Sequence, residues 1–295
     1  MADRLRVVAG RHDWAPQDLL DATDRHGLFR ESTYVWSVFR TRSAEPDIYS
    51  AMRRFSAPGS WPARLLIQSN AGRNGVARHQ VDLVAVRSDD SSLALLVDLS
   101  PGSVRWSEGD LLDVTGSEVT PALRWHLPGE DGMLYASRIF RVTGHVVGRP
   151  VDGFVGVDEV YLASGRHNYV DDPITSGHLS DAWCTWATAY DDGSVEAGHV
   201  AFGRNGFGFG IRAADGVAHV TESVAGVVEN DDRGVPRRIE FDVDGESWEF
   251  VADGRGLPIE PLPGPVRQAE GCFRRVGETR TPVVWCATPE VPARG

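Results

Sequence analysis

The side chains best suited to chemistry are concentrated in the middle of the chain, in the segment Val151–Trp186. An apolar and aromatic surround raises the pKa of a carboxyl group toward neutrality, so that its proton is available for general acid catalysis. Aromatic faces also stabilise a cation through the quadrupole of the ring. The segment therefore predicts acid chemistry, and its candidate residues are Asp158, Glu159, Tyr161, Arg166, His167, Tyr169, Asp171, Asp172, His178, Asp181, Trp183 and Trp186.

Asp158 and Glu159 are the leading candidates, because they interrupt the otherwise apolar run Val155–Leu162. Neighbouring residues on a strand face opposite sides, so only one of these two carboxyl groups can point inward. An inward acid is costly unless it is paired or functional. We predict a functional role for one of the two, and the alternative is a structural ion pair with an arginine.

The remaining candidates in this segment carry weaker signals. His167 and His178 are able to orient an acid or a substrate, but no HxH, HExxH or facial-triad spacing occurs, so no metal site is predicted. Asp171 and Asp172 precede a proline and are typical of an ordinary turn. Tryptophans three residues apart on a strand face opposite sides, so at most one of the pair at 183 and 186 lines a given pocket.

Composition excludes several classes of protein. The formal net charge of −12 argues against binding to nucleic acid or to an anionic membrane, both of which favour a basic face. All 30 basic residues are arginine, as in proteins of GC-rich bacterial genomes. Without lysine, Schiff-base catalysis, pyridoxal-phosphate attachment and a P-loop are excluded. No cofactor is predicted.

Three widely spaced cysteines, Cys184, Cys272 and Cys286, form neither a disulfide framework nor a zinc pattern. We expect free thiols in a reducing cytosol, and thus a cytoplasmic location. The first residues contain no long apolar stretch typical of a signal peptide, and no run of about 18 apolar residues predicts a membrane span.

The elements around the candidate segment are predominantly strands. Period-two alternation is repeatedly broken by Asp-Gly turns, as at Asp192-Gly193, Asp215-Gly216 and Asp244-Gly245, which is typical of hairpins. Two short helices are expected, at Ala15–Arg25 and Pro46–Phe55. The last strand is expected at Pro282–Ala287, followed by a frayed tail. A boundary near Arg149-Pro150 divides the chain into units of residues 1–148 and 149–295.

A family likeness appears in the stretch Phe140–Trp186. It contains Val142-Thr143-Gly144, then Asp152-Gly153-Phe154, then Asp158 at the position of a characteristic acid. This pattern resembles the carotenoid 1,2-hydratase (hydroxyneurosporene synthase)-like superfamily. The chain departs from the family pattern at three positions, where Val157 replaces Arg, Glu159 replaces His and Tyr161 replaces Trp.

The resemblance implies an all-β fold of two lipocalin-like antiparallel barrels or half-barrels packed together, with an apolar pocket. It implies a cofactor-independent enzyme of natural-product or isoprenoid metabolism that hydrates, isomerises or cyclises an apolar small molecule. We expect Asp158, Glu159 and His167 to be catalytic, with Phe154, Tyr161, Tyr169, Trp183 and Trp186 binding the substrate. A non-catalytic carrier of a hydrophobic ligand and a carbohydrate-active β protein are the alternatives.

Overall fold

The computed structural model describes residues 6–9, 24–25, 27–56, 64–69, 84–87, 95–100, 102–120, 123–127, 132–174, 179–253 and 266–292. The regular elements in these ranges are 22 strands and one short 3-10 turn at Arg204–Gly206. Because all pairings between the strands are antiparallel, the predicted all-β, lipocalin-like class is confirmed. Within the same ranges, we find no helix with the length and hydrophobicity required to cross a membrane.

The first sheet contains twelve strands from the first part of the chain. Its main path runs β6-β5-β4-β3-β12-β11-β9-β8-β7, with β2 beside β3 and β1 beside β10, which in turn pairs with β11. The strands are β1 Arg6–Ala9, β2 Asp24–Arg25, β3 Leu28–Thr41, β4 Ile48–Ser56, β5 Arg64–Ser69, β6 Val84–Arg87, β7 Leu95–Ser100, β8 Ser103–Glu108, β9 Leu112–Glu118, β10 Leu123–Leu127, β11 Met133–Val146 and β12 Arg149–Leu162.

The rest of the chain forms two smaller sheets. A six-stranded sheet has the order β16-β15-β14-β13-β22-β20, and a four-stranded sheet has the order β17-β18-β19-β21. Their strands are β13 Ser180–Tyr190, β14 Val195–Gly203, β15 Gly208–Ala214, β16 Val217–Thr221, β17 Val224–Asn230, β18 Pro236–Val243, β19 Glu246–Ala252, β20 Val266–Gln268, β21 Gly271–Arg275 and β22 Pro282–Pro292.

The sheets stack in layers around three main hydrophobic clusters. Phe39, Trp106 and Phe140 belong to a cluster formed by one face of the first sheet alone. The other face of that sheet packs against the six-stranded sheet, where Trp125 of β10 meets Trp183 of β13. The opposite face of the six-stranded sheet packs against the four-stranded sheet. Strands covered on both faces lose the polar-apolar alternation of a half-exposed strand, which explains the nearly continuous burial of β12 and β13.

The pairing of β12 bears on where the chain would divide into two units. β12 pairs with both β3 and β11 and so lies in the middle of the first sheet. A division at residue 149 would therefore fall inside the β11–β12 hairpin. We propose that the boundary between the units lies between Leu162 and Ser180, where the chain passes from the first sheet to the second.

Two local predictions are wrong. Pro46–Phe55 is not a helix, because Ile48–Ser56 forms β4 between β3 and β5, and tertiary pairing overrides the helical spacing of its apolar residues. The tail is not frayed from Pro289, since β22 continues to Pro292 as a strand between β13 and β20. The helix expected at Ala15–Arg25 lies largely outside the described residues, and Asp24–Arg25 is strand. The three cysteines are free, as predicted.

Candidate functional site: a cavity between the first and second sheets

A cavity of about 100 Å³ lies between the first sheet and the six-stranded sheet. Its wall is mainly aromatic and aliphatic, with two carboxyl groups and a few hydroxyl and amide groups, which is the usual character of a small-molecule site. The lining residues are Tyr34, Trp36, Ser37, Val38, Ser50, Ala51, Met52, Trp125, Met133, Tyr135, Asp158, Val160, Asn168, Tyr169, Ile174, Trp183, Thr185, Gln268, Thr288 and Glu290. The cavity thus lies between two sheets and is lined by residues of both.

Asp158 is placed on this wall by the central strand β12 and is held by Trp36 of β3. The indole Nε1 of Trp36 donates a hydrogen bond of 2.5 Å to Asp158 Oδ2. This contact requires the glycine at 156, which pairs with Trp36 across the sheet. A Cβ at Gly156 would lie only 2.1 Å from Trp36 Cε2, so the indole occupies space that any larger residue would take.

The environment of Asp158 favours its protonated form. The side chain is only 6% exposed, and burial raises its pKa to about 6 against the opposing effect of the Ser137, Tyr135 and Trp36 donors. Among the described residues, Oδ1 has no hydrogen-bond partner of regular geometry. A buried carboxyl group that is anchored through one oxygen and has a pKa near neutrality is suited to proton transfer.

A second carboxyl group, Glu290, reaches the same cavity from β22. Tyr169 Oη and Gln268 Nε2 both donate to its Oε1, at 2.7 and 2.9 Å. Burial raises the pKa of Glu290 to about 7, assisted by the negative charges of Asp172 and Asp158, while the two donors oppose the rise. The cavity therefore holds two carboxyl groups that both titrate close to neutrality.

Tyr169 is positioned by the loop between β12 and β13, here called the junction loop because it joins the first sheet to the second. Its backbone lies in the left-handed region, with φ of 65°, which is uncommon for a side chain of this size. Asp172 stabilises the loop by accepting the Tyr169 and Ile174 backbone N–H groups at 2.8 and 3.0 Å. Strained backbone held by surrounding contacts is typical of functional sites. Here it directs the Tyr169 hydroxyl to Glu290, and Asp172 has the turn-forming role expected of it.

The aromatic wall is a tightly packed cluster of rings from the first sheet and the six-stranded sheet. The Trp183 ring lies 5.2 Å from the rings of Trp125 and Tyr135, and its Nε1 donates to Thr185 Oγ1 at 3.1 Å. Thr185 Oγ1 also lies 2.9 Å from Nδ1 of His199, a buried residue whose pKa is lowered to about 3 by burial. His199 is therefore neutral at physiological pH, and the cluster forms a rigid, largely apolar surface.

The charge of the cavity wall bears on which molecules it can hold. Among the described residues that line the cavity, none is an arginine, lysine or histidine. A bound carboxylate or phosphate would therefore be buried beside Asp158 and Glu290 without a partner, which is costly. The cavity suits a neutral molecule, or one on which positive charge develops near the aromatic faces. The described residues also contain no group of three His, Cys, Asp or Glu side chains arranged to hold a metal ion.

The structure brings together three of the residues predicted from sequence: Asp158, Tyr169 and Trp183. Phe154 lies in the same hydrophobic cluster, but it is not part of the cavity wall. His167 lies on the junction loop, 37% exposed, with its Nδ1 3.6 Å from Glu31 Oε1, and it does not line the cavity either. His178 lies outside the described residues.

Glu159, Tyr161 and Trp186 are placed away from the cavity by strand alternation. Glu159 is on the opposite face of β12, only 1% exposed, and accepts a hydrogen bond of 3.1 Å from Arg30. Tyr161 follows a register shift after Val160, and its hydroxyl donates to Glu159 at 2.8 Å. Trp186 packs on Phe273 in the cluster between the second and third sheets. Glu159 therefore fits the alternative expected for it, a structural ion pair with an arginine.

Sequence reasoning missed several side chains of the wall. Glu290 lies in the stretch expected to be frayed, and Tyr34, Trp36, Trp125 and Tyr135 lie on strands far from the candidate segment. The one local signal for Glu290 was an acid within the apolar and proline-rich stretch Cys286–Pro292. For the aromatic residues the period-two pattern shows a buried face, and it does not show which buried face borders a cavity.

Comparison with known proteins supports the fold. Neither the scan of family models nor the search of curated proteins finds a match for this chain. Among solved structures, an AttH-like protein from Nitrosomonas europaea aligns with a TM-score of 0.55 and 17% identity, over 97% of this chain and 98% of that one. Kievitone hydratase from Nectria haematococca aligns with a TM-score of 0.47 and 9% identity, over 97% of each chain.

A third structure, CghA with Sch210972, aligns with a TM-score of 0.41 and 12% identity over 98% of each chain. At these identities the likeness to the AttH-like protein shows a shared fold and nothing about activity. The other two alignments are too distant to support an argument. The chain therefore has the all-β fold that the resemblance of Phe140–Trp186 implied.

Proposed function

We propose that the protein is an enzyme that binds a small, uncharged, apolar molecule in the cavity and uses Asp158 to exchange a proton with it. The observation that carries this proposal is the state of the Asp158 carboxyl group. It is buried on the aromatic wall of the cavity and anchored through Oδ2 by Trp36, and burial raises its pKa to about 6.

The reaction class follows from the surroundings of this carboxyl group. Protonation of a carbon–carbon double bond leaves a cation on the adjacent carbon, and the faces of Trp183, Trp125 and Tyr135 would stabilise it. The cation is then resolved by loss of a proton, by attack of water or by ring closure, which correspond to isomerisation, hydration and cyclisation. Each outcome needs only the protein, the bound molecule and water. If the reaction is a pericyclic closure, the rigid wall would act by holding one folded conformer.

The test uses a small-molecule extract of the source organism, incubated in D2O with the wild-type protein or with Asp158→Asn. We expect at least one apolar compound to gain deuterium or change its mass with the wild type, and the rate to fall by at least about 100-fold with the variant. The substitution keeps the shape and a hydrogen-bonding group at Oδ2, so folding is checked by circular dichroism. Equal conversion by both proteins would remove Asp158 as the proton-exchanging group.

A carrier without catalytic activity remains the second candidate, because the same cavity would hold an apolar ligand. Native mass spectrometry of the purified protein distinguishes the two: a carrier would retain a ligand that is never converted. The carbohydrate-active alternative is disfavoured by burial. Trp183 and Trp186 are 6% and 2% exposed, so neither offers the open aromatic platform expected for stacking on a sugar.

A further inference from the structure

The two carboxyl groups of the cavity share an unusual arrangement. Asp158 accepts from the Trp36 indole through Oδ2 and leaves Oδ1 without a regular partner. In Glu290, both side-chain donors, Tyr169 and Gln268, bind the same oxygen, Oε1. Each group is therefore anchored in the cavity wall through one named oxygen by side-chain donors of the protein.

The two groups also come from different units of the protein. Asp158 is on β12 of the first sheet, and Glu290 is on β22 of the second, and both line the same cavity. A molecule bound between the sheets would thus have one carboxyl group in each of the two layers. An acid and a base held in separate layers are able to act on different atoms of one substrate.

We propose that Glu290 is a second catalytic residue and that it works with Asp158 as an acid–base pair across the cavity. This inference rests on the proposed function of the cavity. It adds that the reaction delivers one proton to the substrate and removes another from the substrate or from water. The reaction class is an isomerisation of a double bond or an addition of water.

In this step, the protonated carboxyl group of the pair gives its proton to one carbon of the double bond. A C–H bond forms from the π electrons, and the O–H bond breaks toward oxygen. The ionised carboxyl group then takes a proton, either from the carbon next to the cation, which forms the new double bond, or from a water molecule that bonds to the cation. The pair ends with its single proton on the other group, and exchange with solvent restores the starting state.

The electrostatics of the site are consistent with one shared proton. The titratable groups acting on Glu290 are Tyr169, Asp172 and Asp158, and both aspartates raise its pKa. Asp172 is fixed by backbone N–H groups of the junction loop, away from the apolar wall. The pKa values of Asp158 and Glu290 are raised to about 6 and about 7, so near neutrality the form that carries one proton on the two groups is populated.

The test is a titration of Glu290 by NMR, in protein labelled with ¹³C at the glutamate carboxyl carbon. The Glu290→Gln variant assigns its signal. Asp158→Asn removes a negative charge that faces Glu290, so we expect the Glu290 pKa to fall by about half a pH unit or more. Glu270→Gln is the matched control. Glu270 is also buried, with a pKa raised to about 8, but its charged neighbours are Arg40 and Asp253 and it does not line the cavity.

The expected result is a lower Glu290 pKa in Asp158→Asn and an unchanged one in Glu270→Gln. An unchanged Glu290 pKa in Asp158→Asn would overturn the pair and leave Asp158 as a single acid. Where the D2O assay yields a converted compound, Glu290→Gln should slow its conversion by at least about 100-fold and still bind the neutral probe N-phenyl-1-naphthylamine. Full conversion by Glu290→Gln, with Asp158→Asn inactive, would refute the role of Glu290 but leave the proposed function intact.

Discussion

Gly156→Ala should alter the ionisation of Asp158 without touching Asp158 itself. An alanine Cβ at this position would lie 2.1 Å from Trp36 Cε2 and 2.4 Å from Nε1, whereas heavy atoms in contact lie about 3.5 to 4.0 Å apart. The indole must therefore move away by more than about 1 Å. The hydrogen bond of 2.5 Å from Nε1 to Asp158 would then lengthen beyond the usual limit and be lost.

The magnitude follows from the energy of that hydrogen bond. A hydrogen bond to a charged group contributes about 1.5 to 3 kcal/mol, and one pKa unit corresponds to about 1.4 kcal/mol. The Trp36 donor lowers the pKa of Asp158, so its loss should raise that pKa from about 6 by about 1 to 2 pH units. Any activity that needs the Asp158 carboxylate should then move to higher pH by the same amount.

The assay is a ¹³C NMR titration of the aspartate carboxyl carbons, with Asp158→Asn to assign the signal. Trp36→Phe is the matched variant, because it removes the N–H donor, keeps an aromatic ring and introduces no clash at Gly156. Both variants should raise the pKa of Asp158 in the same direction. If the pKa is unchanged in both, the Trp36–Asp158 contact does not set the ionisation of the site, and the structural reasoning fails.

Three further predictions concern stability and are measured by urea or thermal unfolding followed by circular dichroism. Glu159→Ala should lower the free energy of unfolding by about 3 to 5 kcal/mol, because it leaves Arg30 buried without this partner, and unchanged stability would contradict a structural ion pair. Trp186→Ala should lower the free energy of unfolding by about 3 to 5 kcal/mol, because it opens a cavity between the second and third sheets. The pKa of Asp158 should not change, and a changed value would contradict the placement of Trp186 away from the site. The buried Glu270 has a pKa raised to about 8 in the folded state, so the folded protein binds more protons than the unfolded chain between about pH 5 and 8. The free energy of unfolding should therefore decrease as the pH rises through this window, and Glu270→Gln should make this decrease smaller. An identical pH profile for the wild type and the variant would contradict the raised pKa of Glu270.

The sequence alone determined the β class and the local geometry of the candidate segment. Asp-Gly turns between alternating stretches specify hairpins, since turn type and pleat are decided by residues close together in the chain. The same local rule placed Asp158 and Glu159 on opposite faces of one strand, and likewise Trp183 and Trp186. It also showed that an acid in the run Val155–Leu162 requires either a partner or a function.

Only the tertiary structure decided which face borders the cavity and which residues complete it. Trp36 and Asp158 are 122 residues apart, Tyr169 and Glu290 are 121 apart, and Arg30 and Glu159 are 129 apart. Such contacts depend on the order and stacking of the sheets. The local period-two pattern does not contain that information, because it is the same for any buried face. Strand alternation thus determines which residues share a face of a strand. The packing of the sheets determines which of the two faces lines the cavity.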